Sequence, residues 1–219
     1  MTGRRSGPKT LALLTALAAP GCLGAQPPSV KPRVPAVALA TGGLAGQSVA
    51  VLPLTMILAD SRIPGTTGTA ARTVLLRWAD SLLGETLGER APEVSWVLPA
   101  VLRVRAKGAG GLLPTPDQMG QAVMRSPNLK DVPDPLRSYV RQLLGLAGGG
   151  RYALIPAAIS LLPAGISGDS LEVQLAAVLS DGRLGRVVWR TLAVGRGENA
   201  DQAYRAALAT LFPPESGSP

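Results

Sequence analysis

The chain has 219 residues, a formal net charge of +8 and an apolar content of 46%, but only 3% of its residues are aromatic. It contains no histidine and a single cysteine, which excludes a Ser-His-Asp or Cys-His catalytic system and an intrachain disulfide. A chain of this length can bury one substantial core, which here must be built from Leu, Val, Ile and Ala.

The N-terminus has the three parts of an export signal. Arg4, Arg5 and Lys9 precede an apolar run over 11–19, and small residues follow this run. A run of this length is too short to cross a bilayer, which takes about 20 residues. The pattern therefore predicts a signal peptide over residues 1–25 rather than a membrane anchor.

Two processing events are compatible with this segment. Cleavage after Ala25 would leave a chain without cysteine, whereas modification of Cys22 would leave a lipid-anchored protein. Both predict an exported protein, either periplasmic or attached to the outer membrane. Residues 26–47, rich in Pro, Ala and Gly, are predicted to form a linker. A single domain is expected over 48–212, followed by a disordered tail over 213–219.

The predicted domain begins with an apolar, β-branched strand over 48–58, a composition typical of a strand buried on both faces. A helix is predicted from about Thr69, because apolar residues then recur at helical spacing: Ala71, Val74, Leu75, Trp78 and Leu82. A short strand over 93–98 precedes a helix over 99–107 that Pro99 opens.

Two further helices are predicted before the C-terminal third of the chain. The segment 115–125 has a capping box, with Thr115 as the cap and Gln118 three residues later. The segment 134–150 has Asp134 as a cap and one apolar face that ends in a run of glycines.

Three strands follow in sequence, over 151–162, 170–180 and 186–195, and a last helix is capped by Asn199. The element order predicts an α/β fold with one mixed sheet of about five strands. The late strands are expected to form an antiparallel meander, with helices packed on both faces in a three-layer arrangement.

Chemistry-bearing motifs are scarce. No Gly-x-Ser-x-Gly or phosphate-loop motif occurs in the expected domain, and neither a cofactor nor a metal ion is expected. The acids in predicted loops are Asp60, Asp117, Asp169 and Asp181. They are the only candidates for carboxylate-dependent hydrolysis. The composition therefore favours a non-enzymatic protein.

The only tight basic group is Arg103, Arg105 and Lys107. A solvated helix face is the preferred interpretation over a polyanion site. No aromatic residues alternate with these basic ones, so a nucleic-acid partner is not predicted.

The stretch "AAVLSDGRLGRVVWRTLAVG", 176–195, reads as a β-hairpin. Asp181 and Gly182 occupy its turn, Gly185 ends the turn, and Trp189 lies on the second strand. These four residues are predicted to be structural: the turn sets the strand register, and the tryptophan fills the core. Trp78 and Trp96 lie in apolar patterns and are also expected to pack in the core.

This hairpin, preceded by "RYALIP" at 151–156, resembles a superfamily of exported bacterial envelope proteins. The superfamily includes the secretion lipoprotein CsgG, the penicillin-binding-protein activator LpoB and the N-terminal domain of TolB. The similarity is concentrated in residues 150–212, and the segment 99–135 has no evident counterpart. The resemblance implies an envelope protein without catalytic residues.

The leading hypothesis is thus an exported protein that binds or helps assemble another envelope component, or associates with itself. It would touch the membrane only through a lipid on Cys22. The alternatives are a periplasmic ligand- or glycan-binding domain and an exported hydrolase that uses carboxylates. An apolar surface patch favours the first hypothesis, and acids and aromatics converging in one cleft favour the others.

Overall fold

One mixed β-sheet organises the domain. The computed structural model describes residues 36–111, 113–164 and 169–213, so the predicted signal peptide with Cys22 and Ala25 lies outside the described residues. The strands are β1 (Ser48–Val51), β2 (Ile57–Ala59), β3 (Ser95–Val97), β4 (Tyr152–Ala164), β5 (Ser170–Asp181) and β6 (Arg186–Gly197). Their spatial order is β3-β1-β4-β5-β6, and β2 also pairs with β4. The first three strands run parallel to their partners, whereas β4, β5 and β6 form the predicted antiparallel meander.

Four α-helices are described: α1 (Thr69–Arg90), α2 (Pro99–Gly108), α3 (Leu136–Leu146) and α4 (Ala200–Leu211). Helices α1 and α4 pack on one face of the sheet, where the larger apolar cluster includes Leu87, Leu175 and Leu208. Helices α2 and α3 pack on the other face, where a second cluster includes Leu102 and Val140. The predicted α/β class, the mixed sheet and the helices on both faces are therefore confirmed.

Prolines shape the middle of the sheet. The strand predicted over 48–58 is interrupted: the Leu52 amide still donates to the Leu154 carbonyl of β4 at 2.9 Å, but β1 ends at Val51 and Pro53 has no amide hydrogen to extend the pairing. Pairing resumes at β2, where the Ile159 amide donates to the Met56 carbonyl at 3.0 Å. On β4 the strand register shifts between Pro156 and Ala158, so this proline lies at a β-bulge, where a strand proline is tolerated.

The helix predicted over 115–125 is replaced by two 3₁₀ turns, Pro116–Gln118 and Gln121–Arg125. Gly120 separates them with a φ of +76°, a conformation that ends a right-handed helix, and Thr115 makes no capping hydrogen bond. Helix α3 is also shorter than predicted. The Asp134 side chain pairs with Arg137 instead of capping the first turn of α3.

The segment 99–135 is an integral part of the domain. It contributes buried Leu102, Met119, Met124 and Val132 to the second cluster. Because this cluster covers the face of the sheet opposite α1 and α4, the segment builds the third layer.

The described part of the expected linker, 36–47, packs on the domain rather than extending from it. The Leu39 amide donates to the carbonyl of Leu211 at 3.0 Å, and the Val37 amide donates to Thr191 Oγ1 at 2.8 Å. Leu39 and Leu44 are buried in the larger cluster. Ordered packing therefore starts before Ser48, the residue at which the sequence predicted the domain to begin.

Candidate functional site

The turn between β5 and β6 is organised by a buried carboxylate. Asp181 Oδ1 accepts hydrogen bonds from the amides of Arg183 at 2.9 Å and Leu184 at 3.0 Å, and Oδ2 pairs with Arg151 at 2.7 Å. Burial alone would raise the pKa of Asp181, but the Leu184 amide, the Arg151 guanidinium and the Arg183 amide together hold that pKa below its usual range. The geometry is that of a structural turn, because each carboxylate oxygen already has partners.

Both glycines of the turn occupy positions that a side chain would disturb. A Cβ on Gly182 would collide with the side chain of Leu144 on α3. Gly185 has a φ of +71°, which favours glycine, and a Cβ there would collide with Arg137. The turn is thus packed tightly against α3.

Trp189 is only partly buried, unlike the fully buried core residue that the pattern indicates. Its ring packs against the larger apolar cluster, but its Nε1 is buried without a hydrogen-bond partner. The other two tryptophans do find acceptors, at 3.4 Å from Asp201 for Trp78 and at 2.9 Å from the Ala91 carbonyl for Trp96.

The four acids considered for catalysis lie in separate segments of the chain. Asp60, after β2, pairs with Arg62, which lowers its pKa to about 2. Asp117, in the first 3₁₀ turn, pairs with Arg103. Asp169 and Asp181 lie at opposite ends of β5, a strand about 40 Å long at 3.4 Å per residue. Among the described residues, no group of three or more acids or cysteines is close enough to hold a metal ion.

A buried ion-pair network is the polar centre that sequence reasoning missed. Asp80 on α1 accepts a hydrogen bond from the Leu54 amide at 2.8 Å and pairs with Arg103 on α2 at 2.6 Å. Arg103 also binds Asp117. Burial raises the pKa of Asp80 although both donors favour its ionised form. The sequence carried a signal, because Asp80 shares the helical phase of the apolar residues Leu76, Leu83 and Leu87.

Two clefts flank the Arg103 side chain. One, of ≈ 490 Å³, lies toward the start of α2 and includes Ser81 and Glu85. The other, of ≈ 380 Å³, lies toward its end and includes Lys107 and Leu113. Because Arg103 is already engaged by two carboxylates, the network joins α1, α2 and the first 3₁₀ turn rather than presenting a free reactive group.

An apolar groove of ≈ 650 Å³ lies on the α2–α3 face of the sheet. Helices and turns cover one end of this face, where Ala153 and Ile155 of β4 are fully buried. No described helix or turn covers the other end: on the same face, Leu162 is 36% exposed and Leu192 is 49% exposed. We refer to this opening as the sheet groove, and its main lining residues are Leu58, Val123, Ala158, Ser160, Ala176 and Leu192.

Strand register explains the shape of the sheet groove. Ala158 lies opposite Ala176, which in turn lies opposite Leu192, so small side chains form the floor and the edge strand supplies a larger wall. Leu58 of β2 forms the other wall and Val123 closes one end. The wall strands β2 and β6 are three strand spacings apart, about 14 Å between their backbones, and an α-helix with side chains has a diameter of about 10–12 Å.

Arginines determine the charge and rigidity of this groove. Arg190 of β6 donates to the carbonyls of Met124 and Ser126 at 2.6 and 2.5 Å, which fixes the end of the groove that Val123 closes. Burial lowers the pKa of Arg190 from its usual value. Arg125 lines the groove and contacts Met56 Sδ at 3.2 Å. The rim therefore carries a positive charge without a carboxylate partner among the described residues.

In the part of the chain that the structure describes, no helix is both long enough and apolar enough to cross a membrane.

No protein-family model matches the chain, and no curated protein matches its sequence. Several solved structures are similar to it. The LpoB C-terminal domain from Salmonella enterica has 15% identity, a TM-score of 0.36 and coverage of 68% of this chain and 82% of that one. The lipoprotein GNA1162 from Neisseria meningitidis has 21% identity, a TM-score of 0.38 and coverage of 69% and 83%. The hypothetical protein CT253 from Chlamydia trachomatis has 11% identity, a TM-score of 0.41 and coverage of 77% and 87%. These neighbours include the LpoB proteins that the hairpin resembles, and the similarity is distant.

Proposed function

We propose that this chain is an exported, non-enzymatic protein whose domain binds another protein of the cell envelope through the sheet groove. The observation that carries the proposal is the uncovered half of the sheet face, where Leu58 and Leu192 are each 49% exposed beside a floor of alanines. Exposed leucines on both walls of a concave apolar surface offer an area that a protein partner would bury.

The occupant that suits this groove is a helical segment with apolar side chains and an adjacent carboxylate. Its width matches one helix, the alanine floor leaves room for a bulky side chain, and Arg125 offers a charge for an acidic residue. A catalytic role finds less support, because Asp60, Asp117 and Asp181 each pair with a different arginine.

Crosslinking inside the native envelope tests the proposal. A photoreactive residue at Val123 is expected to crosslink to one protein, and Leu192→Asp should reduce that product by about tenfold, as for a central contact residue. Val74→Asp is the matched control, because Val74 is 67% exposed on α1, which packs on the opposite face. Equal loss with both variants, or a product that neither affects, would contradict the groove as the binding site.

The proposed export has two forms that differ in mass. A lipidated Cys22 and a chain that begins after Ala25 are both compatible with the N-terminal pattern. Intact-mass measurement of the protein from its native envelope distinguishes them. A product that retains Met1 would refute export.

A further inference from the structure

Helix α2 exposes apolar side chains to solvent. Val104 is 72% exposed and Val101, one helical turn earlier, is 42% exposed. Leu146, at the end of α3, is 36% exposed, and its carbonyl accepts a hydrogen bond of 3.0 Å from Arg105. This hydrogen bond joins the two helices, so the three apolar residues belong to one surface.

The same surface carries basic side chains that take part in no ion pair among the described residues. Helices α2 and α3 contain no acidic residue, and their basic residues are Arg103, Arg105, Lys107, Arg137 and Arg141. Ion pairs engage Arg103 and Arg137. Among the described residues, neither Arg105 nor Lys107 has a carboxylate partner. We refer to Val101, Val104, Arg105, Lys107 and Leu146 together as the α2 strip.

We propose that the α2 strip contacts the surface of an anionic phospholipid bilayer. Basic side chains bind anionic headgroups, and exposed valines and leucines enter the boundary between headgroups and acyl chains. A soluble polyanion would use the basic residues alone and would leave Val101 and Val104 without a role. The combination of apolar and basic side chains therefore favours a lipid surface.

The inner side of α2 suits a fixed contact. Leu102 is fully buried in the second apolar cluster, and Arg103 is held by Asp80 and Asp117. The helix thus presents its outer side chains from a rigid support. With ten residues, α2 lies on the surface of the bilayer rather than crossing it. This contact is independent of the sheet groove, and it departs from the sequence-based expectation that only a lipid on Cys22 would touch the membrane.

A local fluorescence measurement separates this contact from any attachment through the N-terminus. The full chain carries Cys22→Ser, so that a cysteine introduced by Val104→Cys is the only site for an environment-sensitive fluorophore. With vesicles of equal parts phosphatidylglycerol and phosphatidylethanolamine, the emission at 104 should shift to the blue. The same label at Val74→Cys, on the opposite layer, should not shift. Vesicles of phosphatidylcholine alone should give no shift at either position.

Charge variants measure the strength of the contact. Each basic side chain near an anionic membrane contributes about fivefold in binding, so Arg105→Gln with Lys107→Gln should lower the partition constant by about 25-fold. Arg72→Gln with Arg205→Gln removes the same charge from α1 and α4 and should leave the blue shift at 104 in place.

The proposal is wrong if the emission shifts at 104 and 74 are equal, if the two charge variants have equal effects, or if anionic vesicles cause no shift at all. Soluble polyphosphate is the test of the polyanion alternative. The strip binds polyanions rather than lipid if the protein binds polyphosphate as strongly as anionic vesicles and the double substitution Val101→Ser with Val104→Ser changes neither of these two affinities.

Discussion

Gly195→Ala tests how α4 lies on the sheet. Gly195 is on β6, and a Cβ built there would fall far inside the 3.0 Å that real Cβ atoms keep from other atoms. It would collide with the Ala203 carbonyl oxygen and the Ala207 amide nitrogen, and it would lie 2.8 Å from the Ala206 carbonyl carbon. All three atoms are backbone, so no side-chain rotation relieves the contact. One methyl group must therefore push α4 off the strand.

The expected cost follows from what that displacement loosens. Ala203, Tyr204, Ala207 and Leu208 of α4 are all almost fully buried, and overpacking a well-packed core costs about 1–3 kcal/mol. Because rigid backbone opposes the methyl group, we expect the upper end, about 3 kcal/mol. For a domain of this size that lowers Tm by about 6–12 °C.

Thermal and urea unfolding of the full chain measure this change, with Gly88→Ala as the matched control. Gly88 lies inside α1 and has no atom within 4 Å of its Cβ position, so alanine there should stabilise the helix by about 0.5–1 kcal/mol. The two Gly→Ala substitutions should thus have opposite signs. A Gly195→Ala variant as stable as the parent would refute the backbone contact between α4 and β6.

Substitutions at Trp189, Arg103, Asp80 and Asp181 test the polar and aromatic sites. Trp189→Ala should cost about 2–3 kcal/mol because the ring is only partly buried. Trp189→Phe should change Tm little, since it also removes a buried Nε1 that has no acceptor. Arg103→Leu leaves the Asp80 carboxylate buried without its guanidinium partner, and it should lower the free energy of unfolding in urea by about 3–5 kcal/mol. Adding Asp80→Asn to this variant should restore part of the loss. Purely additive effects of the two substitutions would contradict an energetic coupling between Asp80 and Arg103. Asp181→Asn should lower the free energy of unfolding most near neutral pH. Because the pKa of Asp181 is lower in the folded state, its carboxylate stabilises the fold above the unfolded pKa of about 4. This stabilisation is lost as the pH falls toward the folded pKa. A difference between Asp181→Asn and the parent that stays constant with pH would rule this out.

Local signals in the sequence predicted most of the secondary structure. Asn199 caps α4 by accepting from the Gln202 amide at 2.9 Å, and Pro99 opens α2, both as predicted. The β4–β6 meander also follows from its apolar runs and its Asp-Gly turn. These features depend on interactions between residues close together in the chain, so the local sequence is enough to predict them. The predicted helix over 115–125 does not form for an equally local reason. Gly120 adopts a left-handed conformation that interrupts it, and the prediction gave more weight to the capping box than to this glycine.

The sequence by itself determined the α/β class, the absence of histidine-dependent chemistry, the order of most elements along the chain and the apolar face of each amphipathic helix. Only the tertiary structure decided that Asp80 meets Arg103, that β6 needs Gly195 under α4, and that the helices of one layer stop short of Leu192. Each of these is a contact, or a missing contact, between residues far apart in the chain. Hydrophobic periodicity tells which face of an element is buried, but the lengths and crossing positions of neighbouring elements decide which part of that face stays uncovered. The sheet groove and the α2 strip are both consequences of that placement.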